Sequence, residues 1–328
     1  MALLKKLGFY LVALFAAVTF NFAIPRLLPG NPVDILLGKL TVAGPVSPGT
    51  RQALEVLLGA NDSAPIWQQY LQYLKSIATG DFGVSVTYFP TPVVDVIASA
   101  LPWTLILVGT TSLMTFIVGV SLGTIAGWKR GTWVDSIIPA TTILHALPYF
   151  WFALVLVYFL SIQLGWFPLS GGYDVRRVSP GFNGPFISSA LYHAVLPALT
   201  IVVSSIGGWI LGMRNMMVST LSEDYVITAE AKGLSPKRVM VMYAARNASL
   251  PSFTGFAISL GFIVGGSVIM EQVFSYPGIG NAFLLAVQNN DYALMQALFL
   301  IITVAVLFTN LIVDLFYSVL DPRTRTHS

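Results

Sequence analysis

The sequence predicts an all-α integral membrane protein of six transmembrane helices with both termini on the cytoplasmic side. Three observations carry that reading. Apolar residues fill 55% of the 328 positions and charged residues only 9%, where a soluble domain carries about a quarter charged. Six long intervals lack any Asp, Glu, Lys or Arg: between Lys6 and Arg26, Asp95 and Lys129, Asp135 and Asp174, Arg177 and Arg214, Arg246 and Glu271, and Asp291 and Asp314. Finally, placing the N-terminus inside puts Lys5, Lys6, Lys129, Arg130, Arg214, Lys232, Lys237, Arg238, Arg246, Arg323 and Arg325 on the inner side. The outer side then holds Arg26, Lys39, Arg51, Lys75, Arg176 and Arg177, mostly in long segments where positive charge resists translocation weakly.

Crossing about 30 Å of hydrocarbon takes roughly 20 apolar helical residues. Trimmed of polar ends, the six intervals give spans near 8–28, 102–127, 136–163, 191–212, 252–271 and 294–319. The first follows Lys5 and Lys6, and "ALFA" at 13–16 loosely mimics a secretory cleavage site. More apolar residues follow it rather than a soluble domain, which favours an uncleaved anchor.

Residues 29–99 form an outer segment too long for a turn, with helix signals of its own. Ser47-Pro48 precedes "TRQALEVLL", and Ser63 then Pro65 precede "IWQQYLQYLKSI"; each reads as a cap followed by a first-turn proline. The membrane core runs 100–320, with outer loops at 164–190 and 272–293, an inner loop at 213–251 and a tail at 321–328. The loop at 164–190 carries "GWFPLSGGYD" and reads as ordered turns; in 272–293 a Pro277-Gly278 turn leads into a short amphipathic run that could dip back into the membrane.

The inner loop is the polar exception. Glu223, Asp224, Glu230, Lys232, Lys237, Arg238 and Arg246 crowd into 223–247. Ser222 can cap a helix whose first turn holds Glu223 and Asp224 at the positive end of the dipole. Gly233 tolerates the left-handed turn at a helix end, and Ser235-Pro236 can start a second helix. Apolar Val226, Ile227, Leu234, Val239, Met240, Val241 and Met242 among the charges suit a docking surface better than a solvated loop.

Other features divide between structural and functional readings. Gly119, Gly123 and Gly127 recur every four residues, a flat stripe for close helix packing. Gly265-Gly266 reads equally as packing or as a hinge. Glu271 and Gln272 stand where an outward cavity would open, or anchor the interface. Asp314 is an intramembrane carboxylate and so a possible proton relay. It also lies about seven residues, roughly 10 Å, before Asp321, within reach of an inner arginine. His145, near Pro148, reads as a hydrogen-bonded residue of a kinked helix, and His193 sits near the outer end of its span. Neither has a second ligand at metal spacing. There is no cysteine, no phosphate-binding G-x-x-x-x-G-K-[S/T] loop and no catalytic constellation, so no enzyme, cofactor or metal is expected of this chain. The net charge of +3 is dispersed and points to no nucleic-acid partner.

"EDYVITAEAKGL" at 223–234 and "RVMVMYAARNASLP" at 238–251 resemble the cytoplasmic loop of permease subunits of ATP-binding-cassette importers, specifically the first permease of dipeptide/oligopeptide systems. "LLPGNPV" at 27–33, "WQQYLQYLKSIATGDFGVS" at 67–85, "VFSYPGIGN" at 273–281 and "NLIVDLFYSVLDPRTR" at 310–325 agree, in the same order. The resemblance implies a type I, methionine-importer-like permease fold in a bacterial or archaeal cytoplasmic membrane. It further implies a second permease subunit, two ATPase subunits that bind ATP and Mg, and an extracytoplasmic solute-binding protein. The loop would hold the coupling helices docked to an ATPase, with Gly233 at the turn. Glu223, Asp224, Tyr225, Ala229, Glu230, Ala231, Lys232, Leu234, Arg246 and Asn247 would surround it. The implied solute is a peptide, with oligosaccharide or nickel as alternatives within the family. Relatives usually carry a basic residue where this chain has Ile227 and Glu230, which implies a reversed charge on the partner ATPase. A secondary ion- or proton-coupled transporter using Asp314 and Glu271 is the competing reading.

Overall fold

The computed structural model describes residues 2–27, 30–45, 47, 49–57 and 64–320, and their regular secondary structure is helical apart from one isolated bridge between Val84 and Pro92. The helices, in order, are α1 Ala2–Arg26, α2 Pro32–Ala43, α3 Thr50–Leu57, α4 Ile66–Thr79, α5 Val93–Trp128, α6 Ile138–Ala146, α7 Tyr149–Leu156 and α8 Gly184–Thr220. After these come α9 Asp224–Ala231, α10 Pro236–Arg238, α11 Arg246–Ala248, α12 Leu250–Ile263, α13 Val268–Val273, α14 Ile279–Gln288 and α15 Tyr292–Leu320.

Among the described residues, four helices are long and apolar enough to cross a membrane: Lys6–Arg26, Val93–Trp128, Gly184–Thr220 and Tyr292–Asp314. A fifth crossing is the pair α6 and α7 with its π-helical extension to Gln163, if a 95° bend between them is allowed. The bend falls at Pro148, which lacks an N–H and pushes the preceding residue out of helical geometry. The interval expected to be a continuous fifth span is broken instead. α12 stops at Ile263, and its 14 residues reach only about 21 Å at 1.5 Å per residue. Gly265 and Gly266 lie in the break, and Gly266 takes a left-handed φ of 67°. α5 and α8, of 36 and 37 residues, overrun the expected 102–127 and 191–212 at both ends.

The chain divides into two compact units. The first comprises Met1–Thr104, Val264–Val268 and Pro277–Ser328. Here α1 runs against α15, and buried Asn21 of α1 donates to Tyr73 OH of α4 at 2.9 Å and to the Gln296 carbonyl of α15 at 2.7 Å. Burial pushes the Tyr73 phenol up to about 12. The outer segment does form helices: Val33, Leu36, Leu54 and Val86 make a small core. Asn31 caps α2 by accepting from Val33 N at 2.8 Å. Pro65 occupies the N-cap position of α4 without a side-chain bond; Ser63 and Pro48 lie outside the described residues. The expected amphipathic run after Pro277-Gly278 is α14, which buries Ile279, Ala282 and Ala286 against α5 and α15 residues including Val93, Ile97, Leu294 and Leu298.

Asp291, fully buried, explains "GDFGVS". Its carboxylate accepts from Ser85 Oγ at 2.5 Å, Thr87 N at 2.9 Å and Leu294 N at 3.1 Å. One acid therefore caps α15, at the positive end of its dipole, and fastens the loop that closes the outer segment. At the other end of α15, Asp314 accepts from Tyr10 OH at 2.8 Å, and Lys6 Nζ reaches its carbonyl at 3.2 Å. Among the described residues its side-chain partner is thus a tyrosine of α1, which runs alongside α15; the tail arginines Arg323 and Arg325, with which a pair was expected, lie outside the described residues.

The second unit comprises Leu105–Ile263 and Ile269–Tyr276, with α6, α7 and the inner loop gathered on α8. The glycine stripe is packing. A Cβ at Gly119 would lie 2.6 Å from Trp209 Cβ, at Gly123 2.6 Å from the Ile210 carbonyl, and at Gly127 2.5 Å from Met217 Cβ. Lipid offers no hydrophobic gain for helix association, so such close backbone approach is what holds α5 on α8. His145 Nδ1 lies 2.7 Å from the Ser204 carbonyl, as expected of a hydrogen-bonded histidine beside a kink, and His193 Nδ1 2.8 Å from the Ser189 carbonyl. Among the described residues no group of three His, Cys, Asp or Glu could hold a metal ion.

Candidate functional site

The inner loop folds as a helix, a glycine turn and a second helix. α9 starts with Glu223 at its N-cap position, without a side-chain bond. The cap expected of Ser222 is absent because its hydroxyl donates back to the Ser219 carbonyl at 2.7 Å, finishing α8, which extends to Thr220. Glu223 and Asp224 still lie at the positive end of the α9 dipole.

α9 ends in a pair of crossed bonds: Gly233 N to Glu230 O at 2.8 Å and Leu234 N to Ala229 O at 3.4 Å. This is the Schellman arrangement, with the left-handed residue at Gly233, φ 74°, and an apolar contact closing it. A Cβ at Gly233 would meet nothing within 4 Å. The requirement for glycine is therefore one of backbone dihedral alone. Ser235 then holds the N-cap position of α10 through its backbone, with Arg238 N and Val239 N on its carbonyl at 2.9 and 3.0 Å, and Pro236 in the first turn. The second helix continues through a π-helical stretch, Val239–Ala245, into α11.

One face of this pair is the chain's own core. Val226, Ala229, Val239, Ala244 and Ala248 are buried with Met213 and Met217 of α8, and Leu234 and Trp128 pack against them. Ala229, expected in a contact surface, is 2% exposed: it sits three residues after Val226 and therefore on the same inward face. The opposite face carries Tyr225, Ile227, Glu230, Ala231, Lys232 and Gly233, all exposed, and the second helix adds exposed Val241, Met242, Arg246 and Asn247. Ile227 and Glu230, three apart, share that outward face. Among the described residues, none of the ion pairs engages Glu223, Asp224, Glu230, Lys232, Lys237, Arg238 or Arg246.

Beneath the loop, Arg214 of α8 forms a two-pronged ion pair with Asp135, Nε to Oδ1 and Nη2 to Oδ2 both at 3.1 Å. Gly131 N adds a third bond to Oδ2 at 3.0 Å. The guanidinium and this backbone N–H hold the Asp135 carboxyl below its ordinary value. Sequence reading placed Arg214 only as an inner charge, since a pair separated by 79 residues leaves no local pattern.

The outer candidates fare differently. Glu271 is fully buried in α13, beside buried Met270, Phe274 and Tyr276, so it does not line an open cavity here. The broken span turns it inward. Gln272 is exposed. Burial and the neighbouring Glu271 charge push the Tyr276 phenol up to about 12.

Residues 119–326 match the family described as binding-protein-dependent transport system inner membrane component, and the chain belongs to that family. It is similar to the oligopeptide transport system permease protein AppB of Bacillus subtilis, 33% identical over 304 residues that cover 92% of each chain. It is also 33% identical to the di/tripeptide transport system permease protein DppB of Pseudomonas aeruginosa, over 98% of this chain and 97% of the relative. The dipeptide transport system permease protein DppB of Escherichia coli K12 is 31% identical over 98% of both chains. The chain is accordingly a transport subunit of the inner membrane and not an enzyme.

Proposed function

We propose that this chain is one of two permease subunits of an ATP-driven importer of peptides or similar small solutes, coupled to a partner ATPase through 223–247. The carrying observation is the outward face of α9 and its turn, whose charges have no partner among the described residues while the reverse face is anchored on α8. An exposed, preorganised surface of mixed charge with apolar Tyr225, Ile227 and Met242 suits a protein cleft. The peptide class rests on the names of the relatives.

In this reading six crossings span a bacterial or archaeal cytoplasmic membrane, with both termini inside. The third is the bent α6–α7 pair, and the fifth is α12 continued by α13. ATP and Mg bind two partner ATPase subunits, and their closure moves the 223–247 helices. Rigid-body rocking then opens the pathway outward, where a solute-binding protein releases its load. The break at Gly265-Gly266 serves as a hinge for that movement, and exposed Gln272 lies on the pathway. The outer segment 29–99, the outer loops 164–190 and 272–293, the inner loop 213–251 and the tail 321–328 are its remaining parts. The proton-coupled alternative loses ground because Asp314 is bonded to Tyr10 and Glu271 is buried.

Reconstitution tests the proposal. Labelled dialanine should enter proteoliposomes containing the complex only when ATP reaches the ATPases, and the chain alone should move none. Uptake by the chain alone, driven by an imposed proton gradient, would establish the alternative.

A further inference from the structure

The first inner loop, Lys129–Asp135, joins α5 to α6, and its one acid is largely withdrawn from solvent. The Asp135 and Arg214 side chains are 14% and 24% exposed, whereas the neighbouring Lys129 and Arg130 are exposed. Paired donors and acceptors in a fixed fork give directional, charge-assisted bonding that a point charge does not. The location of the fork matters. Its arginine stands between Met213 and Met217, both fully buried and both part of the core under α9. The same arginine's backbone also lies against α5: a Cβ at Gly123 would lie 3.2 Å from Arg214 N, and one at Gly127 3.0 Å from Arg214 O. Three structures thus converge on a single turn of α8: the glycine stripe of α5, the loop entering α6, and the platform of the coupling helix.

We propose that the Arg214–Asp135 pair is a positioning device for energy coupling, making the inner ends of α5, α6 and α8 and the helix α9 one rigid body. This rests on the coupling role proposed above. Without the fork, the glycine stripe would still hold α5 and Met213 and Met217 would still hold α9, but α8 could turn under load without carrying α6. Motion imposed on 223–234 would then dissipate at the inner end of α8. Neither residue touches solute or ATPase; each acts through the other.

Because the chain contains no cysteine, two introduced thiols give an unambiguous distance. Spin labels at Ala231→Cys and Ala140→Cys, both exposed, report α9 against α6 in the assembled complex, without nucleotide and with ATP and vanadate. The expected distance is the same in both states. In Arg214→Gln and in Asp135→Asn it should shift between states by about 2 Å or more, and dialanine uptake should fall on the order of tenfold. The exchange Arg214→Asp with Asp135→Arg should recover a constant distance and part of the uptake. A constant distance in the single variants, or a loss that the exchange leaves untouched, would overturn the proposal. Cross-linking of Ala231→Cys to the ATPase, in the otherwise unaltered chain, checks the coupling reading by itself: its absence would sink that reading whatever the distances show.

Discussion

Gly233 shows how much one dihedral angle can carry. Any side chain placed there meets open space, yet a left-handed φ costs an L-residue roughly 1–2 kcal/mol. Gly233→Leu should therefore insert and fold while its turn relaxes, leaving ATP hydrolysis running without transport. Gly233→Asn, which tolerates this conformation better, should keep most of the uptake; equal loss in both would remove the dihedral argument. Glu230 makes a different prediction, since it is exposed and unpaired by any ion pair among the described residues. Glu230→Arg should weaken ATPase association at low salt and much less at high salt, because exposed charge pairs are screened. A salt-independent effect would indicate packing instead. The turn glycine and the charges were legible from sequence because capping chemistry is local. Ala229 was not, since the inward side of α9 is set by Met213 and Met217 on another helix, and Ser222 was misread because two helices competed for one hydroxyl.

At the scale of elements, sequence reading succeeded where a pattern was long and failed where a break was short. Charge-free intervals found α1, α5, α8 and α15, but hydropathy is indifferent to a four-residue interruption, and the interval between Arg246 and Glu271 stayed apolar across Gly265-Gly266. The 95° bend at Pro148 had a signal in the proline, which foretold a kink without its size. Asp291 had no signal at all, because its partners Ser85 and Thr87 lie some 200 residues away. Asp291→Ala would leave buried donors unsatisfied at a cost of roughly 2–3 kcal/mol. The outer segment should then become protease-sensitive, while Asp291→Asn, which keeps an acceptor, should be milder. Equal protease resistance in Asp291→Ala and the unaltered chain would show that the loop is held by other means.

For the whole molecule, the prediction concerns sidedness. Single cysteines at Thr132 and Lys237 should react with impermeant thiol reagents only in inside-out vesicles, and cysteines at Ser76 and Arg177 only in right-side-out cells. Reversal at any one position would revise the number of crossings, not merely the orientation. Both scales bear on the same count: among the described residues there are four long apolar helices, or five with the bent pair, where the sequence predicts six. In the six-crossing reading proposed above, spans three and five would be interrupted, and an interrupted crossing is tolerated where neighbouring helices shelter its backbone.

The buried Asp291 also constrains how such chains can diverge. The family match begins at residue 119, so this acid lies inside the shared region while Ser85 and Thr87 lie outside it. A family member that has lost the outer segment would inherit a buried charge left with the Leu294 N–H alone. Deletion of that segment should therefore be accompanied, in the same lineage, by loss of the acid, and chimaeras joining this permease core to a shorter N-terminal region should fold only with a neutral residue at 291.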